Sequence, residues 1–159
     1  MAIDANIQVI KDINASFNTK TFLDQEIHRD AIKDFKFLCQ KTNYTTFNNL
    51  NFQTLRTADN HNRYIGEFLV LGTEPPEKQV LFPSGYINTD DERQFVAVVC
   101  YNSNGDVEDV LVFRAADFKK AGMFSIFKNI KARGAYGVNI ALNAKNLKQY
   151  SFGYVLNKL

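Results

Sequence analysis

Apolar residues recur at three- and four-residue steps through the first forty positions of the chain. Ile3, Ile7, Ile10, Ile13 and Phe17 fall on one face at 3.6 residues per turn, and Leu23, Ile27, Ala31, Phe35 and Leu38 repeat the pattern. The spacing predicts two amphipathic helices joined by the short polar stretch SFNTKT. Thr21, three residues before Asp24, has the arrangement of a cap at the start of the second helix.

From about Asn43 the period changes. RYIGEFLVLG alternates as a strand does, and RQFVAVVCYNSNGDVEDVLVFR reads as two β-rich runs flanking Asn104-Gly105, which supplies the positive φ a tight hairpin needs. Strands are predicted at Phe95–Tyr101 and Val107–Phe113, with two more in YGVNIAL and YSFGYVL and a helix over most of Ala115–Lys131, interrupted at Gly122. The intervening GTEPPEKQVLFPSGYINTDDE holds all three prolines and reads as a long excursion around one short strand at Gln79–Phe82. Helices followed by hairpins favour an α+β fold: two N-terminal helices packed on a mainly antiparallel sheet of about five strands, with a further helix between the third and fourth strands. The expected core includes Ile7, Ile10, Ile27, Phe35, Leu38, Phe68, Val70, Val96, Val98, Val110, Val112, Ile140 and Leu142.

A chain of 159 residues with 45% apolar and 23% charged residues suits one domain, divided into a helical part over 1–42 and a sheet-forming part over 43–159. No run of apolar residues has the length of a signal peptide or a membrane span. Cys39 and Cys100 share no CxxC spacing, so neither a disulfide framework nor a zinc knuckle is expected, and a cytoplasmic location follows from that cysteine usage.

Net charge is only +2, yet it is segregated along the chain. Residues 1–58 carry seven Lys/Arg against six Asp/Glu, residues 59–113 carry three against ten, and residues 114–159 carry nine against Asp117 alone. On a continuous helix Phe124, Lys128 and Lys131 would share a stripe, beside Lys119, Lys120, Arg133 and Tyr136. Cations displace the counterions of phosphates and rings stack on bases, so these seven residues are the candidate contacts to DNA or RNA.

The same segregation fits a homo-oligomer in which the acidic middle of one copy meets the basic third of another. A third class is a divalent-metal nuclease using Glu67, Asp90, Asp91 and Glu92, although the acid and acid-x-Lys arrangement of restriction-like nucleases is missing. Walker, GxGxxG, HExxH, GxSxG, EF-hand and paired CxxC patterns are absent, so no cofactor, metal ligand set or small-molecule ligand is assigned. His28 and His61 are read as structural or solvated, and Ser84 as a turn serine.

Overall fold

The computed structural model describes residues 26–48, 53–75, 79–121, 125–140 and 147–159. Helix α1 (Glu26–Lys41) is followed by β1 (Thr45–Asn48), β2 (Thr54–Ala58) and β3 (Tyr64–Thr73). β4 (Gln79–Pro83), β5 (Gln94–Tyr101) and β6 (Val107–Arg114) come next, then β7 (Phe127–Ile130), β8 (Ala135–Asn139) and the short helix α2 (Phe152–Leu156).

The strands form a five-stranded sheet in the order β1-β2-β3-β5-β6 and a three-stranded sheet in the order β4-β8-β7. Every pairing is antiparallel except β3 with β5. Those two central strands run parallel because the chain leaves the large sheet after β3, contributes β4 to the small one, and returns as β5.

Both faces of the large sheet are covered at β3 and β5. Ala31, Phe35 and Cys39 of α1 pack on Phe68, Val70, Phe95, Ala97 and Val99. The alternate residues Leu69, Leu71, Val96 and Val98 face Phe82, Phe127 and Val138 of the small sheet, with Phe118 beside them. This double burial explains why β3 and β5 read as nearly continuous apolar runs rather than strict alternation. Phe68 is the centre of an aromatic stack, with its ring 4.7 Å from that of Phe95 at 14° and 5.5 Å from that of Phe35.

The helix lies very close to β3. A Cβ on Gly72 would stand 2.6 Å from the Ile27 carbonyl oxygen, so only glycine permits this approach. Beyond β2, the Gln53 backbone and the His28 side chain serve the edge of β3. Val70 N–H donates to the Gln53 carbonyl at 2.9 Å, Gly72 N–H donates to His28 Nδ1 at 3.0 Å, and Gln53 Nε2 donates to the His28 carbonyl at 2.5 Å. His28 thus stands where a neighbouring strand would, which fixes Nδ1 as the acceptor and the ring as a neutral, buried, structural group.

Several expectations are met. The mixed α/β content, the mainly antiparallel sheet and the β5–β6 hairpin are present, and Gly105 at φ 83° is the positive-φ residue of its turn. The second predicted helix is α1, with Phe35 buried and Ile27 and Leu38 packed at the margin of the core. The first predicted helix, with Ile7 and Ile10, lies outside the described residues, as do the Thr21–Asp24 cap, Gly122, Phe124 and Leu142.

Others are corrected. The described residues of 115–131 do not form one α-helix: Ala115–Lys120 is a 3₁₀ turn and Phe127–Ile130 is a strand. Phe127 and Phe118 are both drawn into the layer between the sheets, and their rings meet at 5.1 Å, which a strand carrying alternate inward residues satisfies. YSFGYVL is not a strand but a 3₁₀ turn at Lys148–Tyr150 leading into α2, because Phe152, Val155 and Leu156 bury one helical face against the core. Among the described residues eight strands share two sheets, rather than about five in one. No helix among the described residues is long and apolar enough to cross a membrane.

Candidate nucleic-acid interface

The predicted contact residues are distributed over several elements. Lys119 and Lys120 end the Ala115–Lys120 turn, Lys128 is in β7, Lys131 and Arg133 sit in the turn between β7 and β8, and Tyr136 is in β8. Since β7 is a strand, no helical stripe of Lys128 and Lys131 exists. Lys128 Nζ donates to Gln79 Oε1 at 2.7 Å across the small sheet. Tyr136 is half-buried, its ring 5.6 Å from Phe118 and 6.1 Å from Phe82, so it belongs to the core margin rather than to a stacking surface.

Lys119 is paired with Asp90, which joins the basic third to the acidic middle within one chain. Lys131 and Arg133 remain exposed at the hairpin tip. That tip is fixed by Gly134 at φ 59° and by Ser84 N–H, which donates to the Gly134 carbonyl at 2.8 Å.

A concave site does exist in the basic third, at a place the sequence pattern did not reveal. The end of β6, the Ala115–Lys120 turn, the Lys148–Tyr150 turn and α2 enclose an open cleft of about 310 Å³. Its cations are Arg114, Lys120 and Lys158, its rings Tyr150 and Tyr154, and its one acid Asp117. The Leu111–Ser151 bridge ties the C-terminal segment to the edge of β6 and so sets the far wall in place.

Asp117 organises the near wall. Its Oδ2 accepts the Arg114 N–H at 3.1 Å and its Oδ1 accepts Lys120 Nζ at 3.3 Å. One carboxylate against three cations leaves the cleft positive. Tyr150 is held from behind by Phe113 at 4.8 Å and Phe127 at 5.8 Å, and burial, followed by the Asp117 charge, pushes its hydroxyl pKa upward. Tyr154 is 48% exposed, with Lys158 Nζ 4.0 Å from its ring centroid and 2.7 Å from its hydroxyl.

Of the six predicted contacts among the described residues, only Lys120 lines this cleft. Tyr154 and Lys158 are four residues apart, a helical spacing hidden by reading YSFGYVL as a strand. Arg114 was counted in the basic third, yet its place beside the C-terminal segment depends on tertiary packing alone.

The opposite end of the β5–β6 hairpin has the opposite charge. Glu26, Asp30 and Glu74, with Tyr101 and Gly105, line a cleft of about 290 Å³. Eight residues of β6 separate the two ends, roughly 23 Å at about 3.3 Å per residue. Tyr101 donates to Asp34 Oδ2 at 2.5 Å, and burial, reinforced by that bond and the Asp34 and Asp30 charges, raises its pKa.

Among the described residues no three His, Cys, Asp or Glu side chains are grouped so as to hold a metal ion. Asp90 is engaged with Lys119, and Asp91 Oδ1 accepts the Arg93 N–H at 2.9 Å. Both cysteines are free thiols, pushed up to about 12 chiefly by burial. No protein-family model, curated protein or solved structure matches the chain.

Proposed function

We propose that the protein binds nucleic acid through the cleft between β6 and α2. The observation that carries this reading is that Arg114, Lys120 and Lys158 line one cleft with the exposed ring of Tyr154 and a single acid, Asp117. Guanidinium and ammonium groups engage phosphate oxygens, while Tyr154 offers a face to a base. Lys131 and Arg133 on the exposed hairpin tip supply further cations. Lys119, Lys128 and Tyr136 lie outside the cleft lining, engaged with Asp90, Gln79 and the Phe118 ring respectively.

Fluorescence anisotropy with labelled single- and double-stranded DNA and RNA over a series of salt concentrations tests the reading. Each phosphate contact contributes roughly 0.7 to 0.9 to the slope of log K against log salt. Replacing Arg114, Lys120 and Lys158 together by glutamine is therefore expected to flatten the slope by about 2. Absence of binding at low salt, or a slope indifferent to the three substitutions, refutes it.

The two oppositely charged clefts at the ends of the β5–β6 hairpin favour a second reading, self-association with the acidic cleft of one copy on the basic cleft of the next. Sedimentation at rising protein concentration would then show a larger species that dissociates in salt. A monomer at every concentration and salt removes this alternative.

A further inference from the structure

We propose that the β1 edge of the large sheet, outermost among the described strands, holds a second site, which takes one unstacked base of a single-stranded nucleic acid. An open groove of about 410 Å³ lies beside β1 and β2, away from the basic third, and no charge or motif argument from the sequence pointed to it. Phe47, Asn48, Arg56, Asn62 and Tyr64 are among the residues that line it.

Phe47 is the first argument. It lies on an edge strand, is 54% exposed, and stands directly opposite Arg56 in the β1–β2 register. A large ring held in a strand and left open on one side is the shape of a stacking platform. Tyr64 is the second: it is 38% exposed, and the Arg56 and Arg93 guanidiniums lie 5.3 and 5.4 Å from its ring centroid. Those stacked guanidiniums keep N–H groups available at their edges for a base carbonyl.

The polar groups complete a base-sized site. Asn62 is held at φ 60° by a fixed turn in which Asp59 Oδ1 accepts the His61 and Arg63 N–H groups, both at 2.9 Å. The amides of Asn48 and Asn62 supply both donors and acceptors, which suits the mixed edge of a base.

Charge selects a base rather than a duplex backbone. Arg56 is opposite Glu67 in the β2–β3 register, Arg63 is paired with Asp59 at 2.9 Å, and Asp91 lies next to Arg93 in the turn before β5. Cations and acids balance around the groove, so binding there depends on stacking and on neutral hydrogen bonds and is nearly insensitive to salt. The cleft beside α2, in contrast, carries excess positive charge. The inference deepens the nucleic-acid reading by naming single strands, and its outcome can be read independently of that cleft.

The test is a ¹⁵N–¹H correlation titration of the whole chain with ten-residue oligothymidine and oligouridine, against a ten-base-pair duplex. Amide shifts at Phe47, Asn48, Asn62 and Tyr64 with single strands, much weaker with duplex, are expected. Phe47→Ala, a surface change whose folding the same spectrum verifies, is expected to weaken single-strand affinity on the order of ten- to a hundredfold and leave the salt slope unchanged. Shifts confined to Arg114, Lys120 and Lys158 overturn the groove and leave the cleft standing. Shifts confined to the groove do the reverse, and no shifts at all refute both. Equal groove shifts with the duplex overturn the base-stacking site, as does unaltered affinity in Phe47→Ala.

Discussion

Replacing His28 by asparagine should remove a specific part of the protein's sensitivity to acid. In the folded chain the imidazole is buried between α1 and β3, where Nδ1 accepts the Gly72 N–H. Burial lowers its pKa from the ordinary 6.5 to about 4. Between those values the unfolded chain binds a proton that the folded chain refuses, so stability falls as the pH falls. The contribution is fully present above pH 6.5 and lost on descending to about pH 4; at roughly 1.4 kcal/mol per pH unit it amounts to about 3 kcal/mol. Asparagine can present an acceptor oxygen near the place of Nδ1 but does not titrate. Urea unfolding of both proteins at pH 7.5, 6, 5 and 4 measures the difference, and carboxylates common to both cancel. Wild type should start the more stable and lose about 3 kcal/mol relative to the variant across the series. Parallel pH profiles would show that His28 is protonated in the folded state or exposed to water, and the account of the β3 edge would fail.

Four further outcomes follow from the packing. Gly72→Ala places a methyl group against the Ile27 backbone and should cost about 1–3 kcal/mol, seen as a lower urea midpoint with unchanged m. Phe68→Ala, which removes the ring shared by Phe35 and Phe95, should cost about 3–5 kcal/mol in the same assay. Gly105→Ala meets no neighbouring atom, so only its φ of 83° resists; a loss of about 1–2 kcal/mol is expected, and no loss would mean the turn relaxes freely. Cys39 and Cys100, with thiols pushed up to about 12, should be silent to a disulfide reagent at pH 8 in the native protein and react on unfolding.

The elements legible in the sequence are those whose burial has one simple period. α1 has one buried stripe, and the β5–β6 hairpin is marked by a glycine that the turn requires. β1 and β2 were not singled out because TTFN and TLRTA are short and half-exposed, so their pattern is weak until β3 supplies a partner. Residues 115–131 misled because Met123, Phe127 and Ile130 recur at helical steps of four and three, while the strand at Phe127–Ile130 is only four residues long and shows little alternation. The charge asymmetry was visible in full, but not its outcome: Lys119 meets Asp90, whereas Arg114 and Lys158 line one cleft with Tyr154. The groove at Phe47 could not be read, since it depends on Arg56, Tyr64 and Arg93 arriving together from three parts of the chain.

The parallel pairing of β3 with β5 couples the two sheets as a stitch couples two layers of cloth. β4 is the loop of thread, belonging to the small sheet while both of its chain neighbours belong to the large one. Neither layer can therefore be assembled as an independent local unit, since the middle of the large sheet closes only after the chain has passed through the small one. Such non-local closure slows folding relative to hairpin-only sheets of similar size. It also makes the two layers open together, and the slowest-exchanging amides should include β3, β5 and β8 with a shared free energy of opening.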